Sequence, residues 1–522
     1  MQELTSISWN IIKFDETSIY STLDEILSSR FWDEDLWLTI FDLYNPYLLK
    51  DMDKAVERIK KAKENEEKVM IFWDYDVDGV TSTSILMHFF KKIWLQASYR
   101  LPHRINDWYW MKDYFIDEIA SIWVKLIITV DCWTRDIEII KYAKSLWIDV
   151  IVTDHHAVPE IIPEEAIAII NPKRKDCEYP FKELAWAGVA FKLMMALSEI
   201  FLPESEKLKY LTESIDIAAI WTVADCMPLI WENRIIVLEW LKQIKNSRSA
   251  WIRKLIEEKI HDDLDADIFG FLIWPRLNAA WRLDTPYKAV NLILNNSDKI
   301  DWIIEEIENI NNKRKELTKL FYEDALEKID REKNVIFYDS EKIEHWIIWI
   351  VAWKLTEEFH KPTIVLKRED GKLVASCRSP EYFSIIEILE KYKDYFLHFW
   401  WHKQAAGFSI SLDKFEEFKS EMIKELEWID FTNHKKVKNV DKIVDVTDFW
   451  FNLLNTSNKY KPYWFWNPKP LFMFKDFEIT WVKYLWKTME HITIENKYDL
   501  KIVWFGFWKY FDILKNVDKL NI

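Results

Sequence analysis

The sequence predicts an α/β protein of two lobes built on parallel sheets, joined by a helical connector and followed by a β-barrel tail. Three observations predict it. Between 68 and 171, short apolar runs (KVMIF, LIITV, DVIVT, AIAII) alternate with helical stretches such as TSTSILMHFFKKI, the pattern of a parallel sheet covered on both faces. Residues 287–330 are charged and helix-favouring, including ENINNKRKELTKLFYEDALEKI. Beyond about 430 the chain turns to β-favouring aromatics, the basic cluster HKKVKNVDK and the turn-rich PYWFWNPKP.

Taken in order, residues 1–65 read as a helical lead-in, 66–286 as the first α/β lobe and 287–333 as the connector. Residues 334–428 read as the second lobe and 429–522 as the barrel. Within the first lobe, 181–245 is mainly helical. The second lobe follows strand-like NVIFY with another strand, helix and strand in IIWIVA, KLTEEFH and TIVLK. No short-period repeat or low-complexity tract interrupts this order.

Composition narrows the function. The 522 residues carry a formal net charge of −16, which disfavours indiscriminate coating of a polyanion. Nucleic-acid contact would have to be local, in a cleft. Cys132, Cys177, Cys226 and Cys377 form no CxxC pair, so a reducing compartment is expected and a zinc site is not. No apolar run reaches the ~18 residues of a membrane span, and the opening MQELTSISWNIIKFDE lacks the pattern of an export signal. A cytoplasmic monomer is the expectation.

One count is anomalous. The chain has 31 Trp and only 6 Gly, and the two together come close to the ~7% that glycine alone usually contributes. Most of these tryptophans are therefore expected to stand where the cell inserts glycine. A UGA codon reassigned to glycine but read as tryptophan would produce this.

Acids and imidazoles follow the predicted strands. Asp74, Asp76 and Asp78 lie in DYDVDG after the first, Asp131 ends LIITVD, and Asp154-His155-His156 follow IVT. The carboxyl ends of parallel strands are where an open α/β sheet places its ligand site. Asp225, in TVADCMPL, is the expected fourth contributor. Clustered carboxylates raise one another's pKa unless a cation compensates them. Oxygen-rich sites with one or two imidazoles and no thiolate suit Mn²⁺ or Mg²⁺, and two ions ~3.5–4 Å apart suit in-line phosphoester hydrolysis. Spacing reaches that far and no further. Each piece also has an ordinary reading: acidic triplets are commonly solvated, and an Asp with two surface histidines can be a simple cap.

Six segments then carry a resemblance. DYDVDGVTSTSIL, ITVDCWTRD, VTDHHAVP, IWTVADCMPL, WPRLNAAWRLDTP and FWWHKQAAGFS resemble, in order and spacing, the motifs of the DHH phosphoesterase superfamily. With NPYLLKDMDKAVERI ahead of them, the set is similar to RecJ-type single-stranded-DNA exonucleases. The likeness implies a two-lobed DHH/DHHA1 fold with a C-terminal oligonucleotide-binding barrel. Where the sequence departs from the family pattern, Trp stands for Gly: Trp133, Trp274, Trp281, Trp400, Trp401, Trp464 and Trp466. Glycine serves such turns because it accepts positive φ and lets backbone approach a phosphate.

The resemblance further implies roles. Asp76, Asp78, Asp131, His155 and Asp225 would ligate two Mn²⁺ or Mg²⁺ ions, with Asp131 bridging and Asp74 in support. His156 would face the scissile phosphate, and His402 would approach the substrate backbone. Arg104, Ser376 and Arg378 match residues that hold a terminal 5′-phosphate, a task suited to forked guanidinium donors. Arg276 and Arg282 are further backbone contacts, and Tyr463, Phe465 and Phe472 are candidate base-stacking platforms. The implied activity is 5′→3′ hydrolysis of single-stranded DNA to 5′-mononucleotides in recombination and repair, beside a single-strand-binding protein and a helicase. Two alternatives remain: a short-oligonucleotide or cyclic-dinucleotide phosphodiesterase, and a non-catalytic replication scaffold on the same fold.

Overall fold

The computed structural model describes residues 2–5, 11–15, 18, 21–31, 36–73, 77–100, 113–132, 134, 136–257, 264–283, 286–294, 300–369, 371–402, 405–429, 431, 437–445, 451–475, 477–485, 491–496, 501–504, 510–516 and 519–521. Two compact units divide the chain. One combines residues 1–38 with 435–522, and the other spans 39–434.

The chain starts with β1 (Gln2–Thr5) and β2 (Ile11–Phe14), an antiparallel pair, and then α1 (Leu23–Ser28). Thr22 and Glu25 close a capping box on α1, each side chain bonding the other's backbone N–H. This corrects the expectation of a helical lead-in over 1–65, and residues 1–38 also cluster with the tail rather than with the first lobe. The apolar letters of IIKF could equally serve a strand or a buried helical turn, and the choice is set by pairing partners more than 400 residues away, which local sequence does not display.

The unit 39–434 opens with α2 (Met52–Glu64), whose buried stripe Met52, Ala55, Val56, Ile59 and Ala62 follows helical spacing. A wound series comes next: β3 (Lys68–Trp73), α3 (Val77–Lys92), β4 (Ala97–Arg100), α4 (Asp113–Ser121), β5 (Val124–Val130), α5 (Ile137–Ser145), β6 (Asp149–Thr153) and β7 (Ala168–Ile170). The five strands form one sheet in the order β4-β3-β5-β6-β7, parallel throughout. The strands read as continuous apolar runs because both faces are covered. On one face Met70, Phe72, Ile127, Val150 and Val152 pack with Phe115, Ile116 and Ile140 of α4 and α5.

Helices α6 (Trp186–Phe201), α7 (Glu204–Ala224), α8 (Trp231–Gln243), α9 (Ala250–Leu255), α10 (Trp274–Leu283), α11 (Pro286–Leu294) and the 29-residue α12 (Ile300–Lys328) follow. The sheet of the second lobe contains β8 (Ile336–Ser340), β9 (Thr363–Glu369), β10 (Lys372–Arg378), β11 (Phe396–His402) and β12 (Ala405–Ser411), with α13 (Ile348–Phe359), α14 (Ile385–Leu389) and α15 (Leu412–Leu426) between and after them. Its order is β11-β12-β10-β9-β8, and only β8 and β9 run parallel. The expected strand IIWIVA is instead the start of α13. A short apolar run cannot distinguish a buried strand from a buried helical segment by periodicity alone, and here Ile348, Ile350, Val351, Ala352 and Leu355 pack together with Ile336, Tyr338 and Val365 of the sheet.

The tail is β-rich: β13 (Val437–Asn439), β14 (Lys442–Val444), α16 (Phe451–Lys459), β15 (Phe472–Phe474), β16 (Phe477–Glu478), β17 (Trp481–Leu485), β18 (His491–Glu495), β19 (Lys501–Trp504), α17 (Phe511–Lys515) and β20 (Lys519–Leu520). β13 joins β2 in parallel, while β17, β18 and β19 form an antiparallel meander over a core of Val444, Phe474, Phe477, Ile492, Ile494 and Leu514. Among the described residues no helix is long and apolar enough to cross a membrane.

Candidate metal centre at the strand ends

The register of the parallel sheet puts its strand ends in one row. Trp73 pairs with Val130, Val130 with Thr153, and Thr153 with Ile170. The next residues along the chain are Asp74, Asp131, Asp154 and Asn171. The row continues into the loops, because Asp131 N–H donates to Thr153 O and Asp154 N–H to Ile170 O, both at 3.0 Å. Asp131 itself has φ of 72°, a left-handed conformation that a short Asp tolerates better than most side chains.

Asp131, Asp154 and His156 each place a ligand atom within 4.8 Å of the others, both carboxylates being buried and His156 exposed. Asp154 is heavily bonded. Its Oδ1 accepts from the backbone N–H of His155 (2.7 Å) and of His156 (3.0 Å) and from His156 Nδ1 (2.9 Å), and its Oδ2 accepts from Thr134 Oγ1 at 2.5 Å. Burial works to raise the Asp154 pKa. The hydrogen bond and charge of His156, with the Thr134 hydroxyl, outweigh it and bring it down to about 2. An ionised Asp154 can only accept, so Nδ1 of His156 carries the proton and Nε2 is the unprotonated nitrogen of the neutral ring. Asn171 holds the same loop, donating from Nδ2 to His156 O at 3.1 Å. Burial, then the charge of Asp154, pushes the neighbouring Asp136 up to about 6.

A second pair lies beside the first. Helix α7 ends at Asp225, its C-cap, and Cys226 follows with φ of 53°. Asp225 Oδ2 lies 4.0 Å from His155 Nε2. The other ring nitrogen, His155 Nδ1, bonds Leu184 O at 2.9 Å. A carbonyl only accepts, so Nδ1 carries the proton and Nε2 presents its lone pair toward the Asp225 carboxylate. Burial drives the His155 pKa down to about 3, which keeps the ring neutral. A neutral imidazole lone pair and a carboxylate facing each other at this distance form a donor set for a cation rather than an ion pair. The residues present therefore fit oxygen-preferring divalent ions: carboxylates and imidazoles converge, and among the described residues no thiolate joins the cluster.

The predicted site residues divide as follows. Asp131, His155, His156 and Asp225 come together at the strand ends. Asp74 and Asp76 lie outside the described residues, as does Arg104. Asp78 falls in α3 and Arg282 in α10, with side chains outside the description, and the same is true of His402 in β11. Arg276 in α10 donates from Nη1 to Leu272 O at 2.7 Å and from Nε to Glu308, so it is engaged within the protein. Ser376 and Arg378 lie two residues apart on β10, in register with Gly407 and Ala405 of β12. Arg378 sits over the Trp349 ring at 5.9 Å and donates to Cys377 O. Tyr463 is buried, with its hydroxyl bonded to Ser457 O at 2.7 Å, and Phe472 packs in the core; Phe465 is exposed.

Sequence reasoning did not assign roles to Asp154, Thr134, Asn171 or the Leu184 carbonyl. Asp154 had a signal, since it opens the Asp-His-His triplet at a strand end. Asn171 directly follows the end of β7 and Thr134 lies a few residues past the end of β5, but a lone Asn or Thr in a loop is a weaker signal. A backbone carbonyl in a loop carries none.

Residues 68–220 match the family model for the DHH family, N-terminal domain. The single-stranded-DNA-specific exonuclease RecJ of Salmonella typhimurium is 34% identical over 409 residues, covering 73% of this chain and 70% of that protein. The chain is a member of the RecJ family. The RecJ of Bacillus subtilis is 33% identical over 470 residues, which cover 87% of this chain, and the chain spans 58% of that protein's length. Among solved structures, an exonuclease RecJ bound to manganese superposes with a TM-score of 0.63 at 28% identity, covering 73% of this chain and 96% of that one. RecJ from Thermus thermophilus in complex with Mn²⁺ shares the fold at a TM-score of 0.78 and 24% identity, covering 95% of this chain and 74% of its own. Within the RecJ family the fold is thus α/β with parallel strands and helices, and the antiparallel meander of the tail is consistent with an oligonucleotide-binding-like domain.

Proposed function

We propose that the chain is a divalent-cation-dependent exonuclease that hydrolyses single-stranded DNA from its 5′ end and releases 5′-mononucleotides. The observation that carries this reading is the row of strand ends. Its register gathers Asp131, Asp154 and His156 into one cluster, with His155 and Asp225 facing each other beside it. Membership of the RecJ family narrows the phosphoester to one in single-stranded DNA.

Asp131, His155 and Asp225, with Asp76 and Asp78 from the first motif, would hold Mn²⁺ or Mg²⁺. Bound there, the ions would supply an activated water and neutralise charge on the phosphate. The protein's own groups do the rest. Asp154 fixes the His156 ring through Nδ1, so that Nε2 meets the scissile phosphate or the leaving oxygen. Arg104, Ser376 and Arg378 would hold the 5′-phosphate and so set the polarity, with Arg276, Arg282 and His402 along the strand. A helicase that frees single strands and a single-strand-binding protein that keeps them extended are the partners this reaction calls for.

The test is digestion of 5′- and 3′-labelled single strands with Mn²⁺ or Mg²⁺ and with chelator. The 5′ label is expected to leave at once as mononucleotide, the 3′-labelled strand to shorten stepwise, duplex to survive, and chelator to stop the reaction. Hydrolysis confined to dinucleotides or cyclic dinucleotides would make the protein a small-substrate phosphodiesterase. Strand binding without hydrolysis would make it a scaffold.

A further inference from the structure

Two sets of tryptophans are ill-suited to carrying an indole, one by backbone conformation and the other by a buried N–H with no partner among the described residues. The first is exposed and left-handed. Trp94, Trp123 and Trp147 terminate α3, α4 and α5 ahead of the next strand, with φ of 58°, 65° and 62°. Trp94 N–H donates to Lys91 O and Leu95 N–H to Phe90 O. Trp147 N–H donates to Lys144 O and Ile148 N–H to Ala143 O. These are the paired bonds of a Schellman motif, whose left-handed residue is ordinarily glycine. Trp123 N–H makes the corresponding bond to Ala120 O. Trp466 has φ of 71° in the PYWFWNP turn. A bulky side chain at such φ is an outlier, and a large burial could compensate for it. Here there is none: the four indoles are 89%, 74%, 84% and 77% exposed in chain order.

The second group is buried and unbonded. Trp73, Trp186, Trp221, Trp240 and Trp251 bury their indole N–H without a hydrogen-bond partner among the described residues, although a buried tryptophan usually finds one. Trp73 ends β3, and its ring fills the space where a Cβ on Gly79 would lie, 2.1 Å away, so the indole is packed directly against the backbone of the first motif. Trp186 begins α6 with its ring 4.3 Å from that of His155 and 4.6 Å from that of His156. It stands against the two imidazoles that the chemistry needs.

We propose that positions 73, 94, 123, 147, 186 and 466 carry glycine in the protein the cell makes, their codons being UGA decoded by a glycine tRNA, and that a bare position 186 opens the faces of His155 and His156 to a substrate phosphodiester. The last clause rests on the exonuclease reading; the rest does not. Conformation and chemistry converge from separate directions. Left-handed φ at the helix ends favours a residue without Cβ, and the buried indoles leave their N–H groups without a partner among the described residues. The shortage of glycine in the chain is the same fact seen as composition.

Peptide mass mapping of the native protein, with the sequence of its gene, decides the first part. Glycine masses at the six positions and UGA codons are expected; tryptophan masses or UGG codons overturn the proposal. A recombinant protein with tryptophan throughout tests the physics. Replacing Trp94→Gly, Trp123→Gly and Trp147→Gly together should raise Tm by several degrees or more, and an unchanged or lower Tm removes the conformational argument. Trp186→Gly should raise kcat/KM on single-stranded DNA by about ten-fold or more, as expected when an obstruction at the reacting centre is removed. Equal activity overturns the open subsite. If neither protein cuts DNA under any divalent ion, the exonuclease reading fails, and the peptide masses still decide the identity of position 186.

Discussion

Two five-stranded sheets lie in the unit 39–434, and they place chemistry in different ways. In the parallel sheet each crossover helix returns the chain to the same edge, so every strand ends on one side and the residues just past the ends accumulate there: Asp131, Asp154 and Asn171 in a row. In the second sheet, hairpins reverse direction between β9 and β10 and again between β11 and β12, and strand ends are dealt to opposite sides. Its candidate phosphate residues, Ser376 and Arg378, therefore lie within a strand, on one face by the two-residue alternation. A parallel sheet advertises its site as a polar residue after an apolar run. An antiparallel one hides its site in the alternation of a strand, where Ser and Arg are also ordinary surface residues.

The largest effect should follow from breaking the strand-end row. Asp131→Ala removes a buried carboxylate from the cluster, and loss of a group proposed to hold ions worth several kcal/mol of transition-state stabilisation should lower kcat by on the order of 10³-fold or more. Binding of single-stranded DNA should change little. Single-turnover digestion alongside a filter-binding titration measures both, and retained hydrolysis would remove the strand ends from the mechanism.

This contrast also explains what the sequence could and could not reveal. Apolar runs buried on both faces made β3, β5 and β6 legible, and with them Asp131 and the His155-His156 pair, because the site begins one residue later. Asp225 was legible only through its motif, since a helix C-cap has no strand before it. IIWIVA misled because β-branched letters in a short apolar run suit a buried helix equally well. The strands at 2–5 and 11–14 misled because their pairing, β2 with β13, joins opposite ends of the chain. The orienting bonds, Thr134 to Asp154 and His155 to the Leu184 carbonyl, depend on folded geometry and had little or no trace in residue type.

A second change separates support from chemistry within the first lobe. Lys192 and Glu232 are fully buried and pair at 2.5 Å, with Tyr179 OH donating to Glu232 Oε2 and Tyr44 N–H to Oε1. Glu232→Ala leaves an ammonium buried without its partner, which costs roughly 3–5 kcal/mol. Chemical denaturation should show that loss, while kcat of the protein that remains folded stays near wild type. A matching collapse of kcat at low temperature, where the variant is folded, would mean that this network also positions the strand ends.

The second sheet provides the next smaller effect. If Arg378 grips a terminal phosphate, Arg378→Ala should cost about 1.5–3 kcal/mol, the worth of a hydrogen bond to a charged group, or on the order of 10- to 100-fold in KM. Arg378→Lys should recover only part, since an ammonium lacks the forked donor geometry. The informative control is a strand ending in 5′-hydroxyl. The variant and wild type should differ on the 5′-phosphorylated strand and converge on the hydroxyl one. An equal penalty on both ends would assign Arg378 to packing over Trp349 instead of to end recognition.

The smallest effect lies one bond behind the cluster. Asp154 Oδ1 already accepts three donors, so the Thr134 hydroxyl on Oδ2 is what keeps the carboxylate from rotating. Rotation would release His156 Nδ1, and the ring that should present Nε2 to the phosphate would lose its orientation. Thr134→Val preserves the shape and deletes the donor. Outer partners of this kind typically contribute roughly 10- to 100-fold to metal affinity or activity, and because two backbone N–H groups still hold Oδ1, the expected loss is toward the lower limit, about ten-fold in kcat. Thr134→Ser should restore it, because the hydroxyl rather than the methyl carries the bond. If Val and Ser variants behave alike, Asp154 is held by its backbone donors alone, and the row of strand ends orients its histidine without help from the loop that follows Asp131.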